Sequence, residues 1–177
     1  KVNPPIRPRD DVEFLWGALL ERKLDWVVSD HACCSKEIKT NAEYPDDIFL
    51  AKSGFGGTEY LLPGLITEGS RRGMSYNHMA EVLCANPAER YGLLSKGDIA
   101  PGFDADLVLV DPNKSHVINN ISDSPSAQGY SPFDGMELSA TVNTTFLRGK
   151  IIYHEGELVG SPRGQYIRRP TKEGARS

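Results

Sequence analysis

The chemically richest stretch of this chain is Asp25-Trp26-Val27-Val28-Ser29-Asp30-His31-Ala32-Cys33-Cys34. A carboxylate, an imidazole and two thiols follow directly on a short apolar run. A carboxylate in such company can bind a divalent ion or take a proton from water, so Asp30 is a candidate metal ligand or general base. The same residues also suit a purely structural role, with Asp30 capping the next helix and His31 hydrogen-bonded in the core. Residue type and spacing leave both open. The four histidines, at 31, 78, 116 and 154, have no metal-ligand spacing, and no Cys-x-x-Cys pair supports a zinc knuckle.

Chemistry at Asp30 needs a rigid base. Trp26–Val28 is too short for a helix and rich in β-branched residues, so it reads as a buried strand ending in a polar tip. In α/β folds that carboxyl end is where reactive groups gather. Upstream, three prolines make Asn3-Pro4-Pro5-Ile6-Arg7-Pro8-Arg9 a stiff loop. Asp10 or Asp11 is expected to cap a helix with Val12, Leu15, Trp16, Leu19 and Leu20 on one face. Ser35 to Asp47 is a polar stretch. Ser53-Gly54-Phe55-Gly56-Gly57-Thr58-Glu59 has neither a phosphate-loop nor a dinucleotide spacing, and reads first as a plain turn.

Helical periodicity resumes at Leu61, Leu62, Leu65 and Ile66, with Pro63 tolerable in the first turn. Ser75 is expected to cap a further helix with Met79, Val82 and Leu83 in the core, Cys84 beside them and His78 solvated. From Lys96 the pattern changes. Leu107–Val110 reads as a buried strand closed by Asp111-Pro112, and 113–135 as a long irregular segment. Residues 141–147, 151–154 and 157–159 form a meander with turns at Arg148-Gly149-Lys150 and Glu155-Gly156. The expected division is an α/β part over 1–95, a β part over 96–168, and a flexible tail over 169–177.

The composition is that of a globular protein: 177 residues, 39% hydrophobic and 25% charged. A net charge of -4 argues against nucleic acid or an anionic membrane surface as a partner. No apolar run approaches the roughly 20 residues that span a bilayer. Three cysteines, two of them adjacent, do not suit a disulfide framework and imply a reducing, cytoplasmic setting. The chain opens on Lys1-Val2-Asn3 without a Met, as a piece of a longer protein would.

Taken in order, Asn3-Pro4-Pro5-Ile6-Arg7, Ser29-Asp30-His31, Gly54-Phe55-Gly56-Gly57-Thr58-Glu59 and Asn86-Pro87-Ala88 resemble the cyclic amidohydrolases: dihydroorotases, allantoinases, hydantoinases and dihydropyrimidinases. Lys96-Gly97, Gly102-Phe103-Asp104-Ala105-Asp106-Leu107 and Ser131-Pro132-Phe133-Asp134-Gly135 continue the match. Each piece is modest alone; the ordered set is specific and spans nearly the whole chain.

That resemblance implies the C-terminal part of a (β/α)8 barrel followed by the C-terminal share of a small β-sandwich. It places Asn3 after the seventh barrel strand and Asp30 at the tip of the eighth. It implies two divalent metal ions, zinc being the expected identity, that activate a water for attack on a ring carbonyl. Asp30 would ligate one metal, take the proton from the attacking hydroxide and pass it to the leaving ring nitrogen. Asn3, Ser53 and Gly54 would hold the amide edge of a cyclic amide or ureide. Cys34, four residues after Asp30, stands where dihydroorotases carry a His and allantoinases often a Cys, which favours an allantoin- or hydantoin-like ring. Asp104 and Asp106 belong to a structural element. The family's His-x-His pair, bridging lysine and further histidines lie on strands that precede this stretch, so the chain alone is expected to be inactive and metal-free. A homo-oligomer is expected. The alternative is a non-catalytic, dihydropyrimidinase-like scaffold module.

Overall fold

The computed structural model describes residues 1–41, 43–119, 126 and 128–169. The chain is α/β, with helices in its first half and antiparallel strands in its second. Helix α1 (Arg9–Leu20) starts at Pro8, which offers no side-chain cap. Asp10 and Asp11 therefore do not cap it; they lie in the first turn, where carboxylates face the positive end of the helix dipole. The polar stretch contains a helix that periodicity did not reveal, α2 (Lys36–Thr40), capped by the Ser35 side chain. Asp30 consequently caps no helix.

A single 3-10 turn (Thr58–Tyr60) leads into α3 (Leu61–Arg71), with Pro63 buried in its first turn. Ser75 caps α4 (Tyr76–Ala80) by accepting from the His78 N–H. The helix widens to a π turn over Glu81–Ala85 before α5 (Asn86–Tyr91). Pro87 accounts for the widening, since it has no N–H to continue the ladder and its ring would strike the carbonyl four residues back. Two expectations on this helix are corrected. His78 is buried, at 6% exposure, and Cys84 is exposed. Cys84 lies two residues from Val82, more than half a turn away, so the core face that Val82 occupies turns it outward.

Leu19, Leu65, Ile66, Met74, Met79, Val82 and Ala140 form the main core, flanked by Trp16, Val27 and Val110. A second cluster joins Tyr60, Ile118 and Leu138 with Phe133. Thr67 ties the two halves of the chain together: its Oγ1 donates to the Pro63 carbonyl at 2.7 Å and accepts from the Ser139 N–H at 2.9 Å.

The strand expected at Trp26–Val28 is absent. The segment pairs with no strand among the described residues, and Val28 is 66% exposed. A strand needs at least one neighbour to take its ladder hydrogen bonds, and none lies beside this segment among the described residues. Here the helical layer holds the backbone instead, through Val27 N–H to the Val82 carbonyl at 3.1 Å and Asn86 Nδ2 to the Asp25 carbonyl at 2.8 Å.

In the second half, β1 (Leu107–Asp111), β4 (Thr141–Leu147), β5 (Lys150–His154) and β6 (Glu157–Leu158) form one antiparallel sheet in the order β1-β4-β5-β6. The meander forms as expected. Leu147 pairs with Lys150 and His154 with Glu157, leaving two-residue turns whose first residues, Arg148 and Glu155, both have φ +47°. β1 is where the sequence puts it but is not buried: Val108 and Leu109 are 43% and 52% exposed, because β1 is an edge strand. Inside the stretch read as irregular lies β2 (His116–Val117), which pairs with β3 (Glu137–Leu138) just beyond it. The rest of that reading falls partly on residues 120–125 and 127, and the tail on 170–177, all outside the described residues.

Candidate active site

Asp30 ends the Trp26–Ser29 segment with φ +47°, the left-handed region that Asp tolerates better than most residues. Its carboxylate is exposed and has no hydrogen-bond or ion-pair partner among the described residues. It opens into a cavity of about 320 Å³ lined by Val2, Asn3, Ser29, Asp30, Ala32, Ser53, Gly54 and Phe55. Four of the five residues singled out from the sequence, Asn3, Asp30, Ser53 and Gly54, therefore meet around one space. Cys34 does not line it. Its half-buried thiol lies 3.8 Å from the Tyr130 hydroxyl.

Three backbone segments form the walls, and they are stitched together. The Ala32 N–H donates to the Phe55 carbonyl at 2.9 Å, and the Gly54 N–H to the Lys1 carbonyl at 3.2 Å. From α2, Lys39 Nζ donates to the Gly54 carbonyl at 2.6 Å and also to that of Lys1. Sequence reading missed Lys39 because the helix that delivers it carries no apolar stripe. Gly54 has to be glycine twice over. Its φ is +84°, and a Cβ would lie 2.5 Å from that of Ala32.

The glycine run is more than a turn; it is clasped from both sides. His31 Nδ1 accepts from the N–H groups of Gly57 and Thr58 at 3.1 and 3.2 Å. That arrangement puts the proton of the neutral imidazole on Nε2. Gly56 donates to Gln128 Oε1 at 2.7 Å, and a Cβ on Gly56 would lie 2.7 Å from that oxygen and 3.0 Å from His31 Cε1. Ser29 and Thr58 hydroxyls meet at 3.2 Å. Phe133 closes the far side, 6.0 Å from Phe55 and 5.5 Å from Tyr60 between ring centroids. His31 is thus a structural clasp, and Gln128 is its unforeseen counterpart.

The Amidohydrolase family model matches residues 9–152. The chain belongs to the amidohydrolase family. It is 38% identical over 177 residues to an allantoinase of Rubrobacter xylanophilus, covering 99% of this chain and 38% of that protein. An Escherichia coli K12 allantoinase is 35% identical over 169 residues, covering 94% of this chain and 36% of that one. Among solved structures, a D-hydantoinase from Bacillus sp. AR9 superposes with a TM-score of 0.89 at 32% identity, covering 96% of this chain and 37% of that one. For the L-hydantoinase of Arthrobacter aurescens the TM-score is 0.82 at 33% identity, with 90% and 35% covered. The chain spans little more than a third of the length of these relatives.

Amidohydrolases generally use divalent metal ions. In this chain no three His, Cys, Asp or Glu side chains converge among the described residues. Asp30 offers one carboxylate to the cavity, which is too few protein ligands to hold an ion. The described residues do not by themselves supply a set of metal ligands.

Proposed function

We propose that the protein to which this chain belongs hydrolyses a cyclic amide or ureide, and that Asp30 moves the proton in that reaction. One observation carries the reading: Asn3, Ser53 and Gly54 line the same cavity as an unpartnered Asp30 carboxylate. Ring opening needs a base for the attacking water and an acid for the leaving nitrogen, and one carboxylate can serve both in turn. The backbones of Asn3 and Ser53, with the remaining lone pair of the Gly54 carbonyl, hold the amide edge of the ring so that its carbonyl faces Asp30. The Cys at position 34, outside the cavity lining, supports an allantoin- or hydantoin-like ring through the family resemblance alone.

Asp30 also serves as one ligand of a binuclear metal centre, zinc by expectation, whose other ligands lie outside these residues. On this reading the helical half completes a (β/α)8 barrel and the β1-β4-β5-β6 sheet is one share of a sandwich. Phe14 and Leu109, 76% and 52% exposed, support it, since both present apolar surface for further chain to cover. The chain alone is inactive, and the whole protein is a cytoplasmic homo-oligomer.

Asp30→Asn tests the role of the carboxylate. The variant keeps the left-handed backbone and loses the proton shuttle. In the whole protein, turnover of the best substrate among hydantoin, allantoin and dihydroorotate should fall by about 10²–10⁴ with folding unchanged. Unaltered turnover refutes the assignment. An unsubstituted protein with none of these activities favours the scaffold alternative.

A further inference from the structure

The cavity wall is fastened to α2 on both sides of Ser53. The Lys52 N–H donates to the Ile38 carbonyl at 3.4 Å, and Lys39 Nζ donates to the Gly54 carbonyl at 2.6 Å. Between these ties Ser53 is half-buried, and its N–H and C=O have no hydrogen-bond partner among the described residues. A backbone donor and acceptor left unpaired beside a cavity are satisfied only by what enters it. The amide edge of a ring carries one N–H and one C=O, the complementary pair.

Helix α2 is too short to hold itself by its own turns. Its ends are fixed by side chains: Ser35 Oγ accepts from the Ile38 N–H at 3.5 Å, and Asn41 Nδ2 donates to the Tyr44 carbonyl at 2.7 Å. The helix thereby delivers Lys39 to a defined place. Lys39 also donates to the Lys1 carbonyl, which accepts the Gly54 N–H as well and lies two residues before Asn3. One ammonium thus sets the spacing between the Asn3 and Ser53 segments. We propose that Lys39 is a positioning residue for ring binding, holding the backbone of Ser53 and Gly54 at the distance from Asn3 that an amide edge requires. The inference rests on the reading that this cavity binds a cyclic amide or ureide. Lys39 does not line the cavity, and no hydrogen bond or ion pair joins it to Asp30. It acts through the wall, on binding and not on proton transfer.

The test is steady-state kinetics of the whole protein on the best substrate among hydantoin, allantoin and dihydroorotate. In Lys39→Met, KM should rise about five- to tenfold with kcat within twofold, the signature of lost binding that ground and transition states share. A side chain that only stabilises the fold does the reverse: its loss lowers the active fraction, which cuts the apparent kcat and leaves KM alone. Should Lys39→Met fail to fold, Lys39→Arg decides, with KM raised about two- to threefold at unchanged kcat. An unchanged KM, or a fall in kcat as large as the rise in KM, overturns the inference while leaving the cavity as the binding site. An unsubstituted protein that opens none of the three rings overturns the underlying reading, and the inference with it.

Discussion

The Gly56 amide donates to Gln128 Oε1 at 2.7 Å, joining residues 72 positions apart in the chain. Gln128 is 1% exposed and its Nε2 has no partner among the described residues, so among these its side chain bonds to the glycine loop through Oε1. Gln128→Met keeps the length of the side chain and removes the acceptor. The Gly56 N–H is then left buried and unpaired, at a cost of about 1–3 kcal/mol. Urea unfolding should show the loss, and exchange of the Gly56 amide should rise beyond what the global change explains. Equal stability of the variant would mean that the contact does not hold the loop.

Gly54 is the tightest point of the cavity wall. Gly54→Ala meets two separate penalties: a left-handed backbone at φ +84° and a Cβ 2.5 Å from that of Ala32. The first costs about 1–2 kcal/mol for an L-residue, and the second adds to it. Adding Ala32→Gly relieves the clash and leaves the backbone cost. A double-mutant cycle by denaturant unfolding should therefore recover part of the loss and not all of it. Full recovery, or none, contradicts this division.

What the sequence made legible was whatever local pattern decides. The meander was readable because Arg148-Gly149 and Glu155-Gly156 supply the two-residue turns that set register. The start of α4 was readable because Ser75 accepts from His78 N–H. Asn3, Asp30, Ser53 and Gly54 were singled out by family resemblance, and the four line one cavity. Long-range contacts were not readable. Val27 looks like a strand residue, yet its N–H goes to Val82, and among the described residues no strand lies beside it. Lys39 and Gln128 carry no signal of their own, since their importance lies entirely in which distant backbone groups they meet.

Lys96 pins the loop that follows α5 to the approach of β1. Its ammonium lies 2.9 Å from Asp104 Oδ2 and also bonds Asp106, whose other oxygen accepts from the Arg148 N–H at 2.7 Å. The Lys96 hydrogen bond and that of Ser95 hold Asp104 below the ordinary carboxylate range. Burial opposes the charge on Asp106, but Lys96 and the Arg148 N–H outweigh it and lower that group too. Depressed carboxylates contribute stability above the unfolded value of about 3.9, and it is lost as pH falls through the folded values. Burial also works against Lys96, yet Asp106 and Asp104 raise it, so its share is complete below about 10.4 and lost as pH climbs beyond that. Stability should be level between these limits and fall outside both. Lys96→Met should flatten the acid limb below about pH 4, as read by urea midpoints across pH. An acid limb of unchanged steepness would place its cause elsewhere.

Lys39 is the pin that crosses from α2 to the cavity. It donates to the carbonyls of Gly54 and Lys1, two segments that carry Gly54 and, two residues on, Asn3. An ammonium is suited to this, because its several N–H groups can serve two carbonyl oxygens at once. Lys39→Met keeps the apolar stem and removes both donations. Hydrogen bonds from a charged donor are worth about 1.5–3 kcal/mol each, and partial exposure of the Lys1 contact puts the expected loss near the lower figure. Lys39→Arg retains the charge, but its planar fork is too broad for two oxygens bound at one nitrogen, so it should rescue stability only in part. If the cavity wall depends on this pin, exchange at Gly54 and Phe55 will quicken in Lys39→Met while α3 and α4 keep their protection. Uniform loss of protection would make Lys39 a general stabiliser with no particular hold on the site.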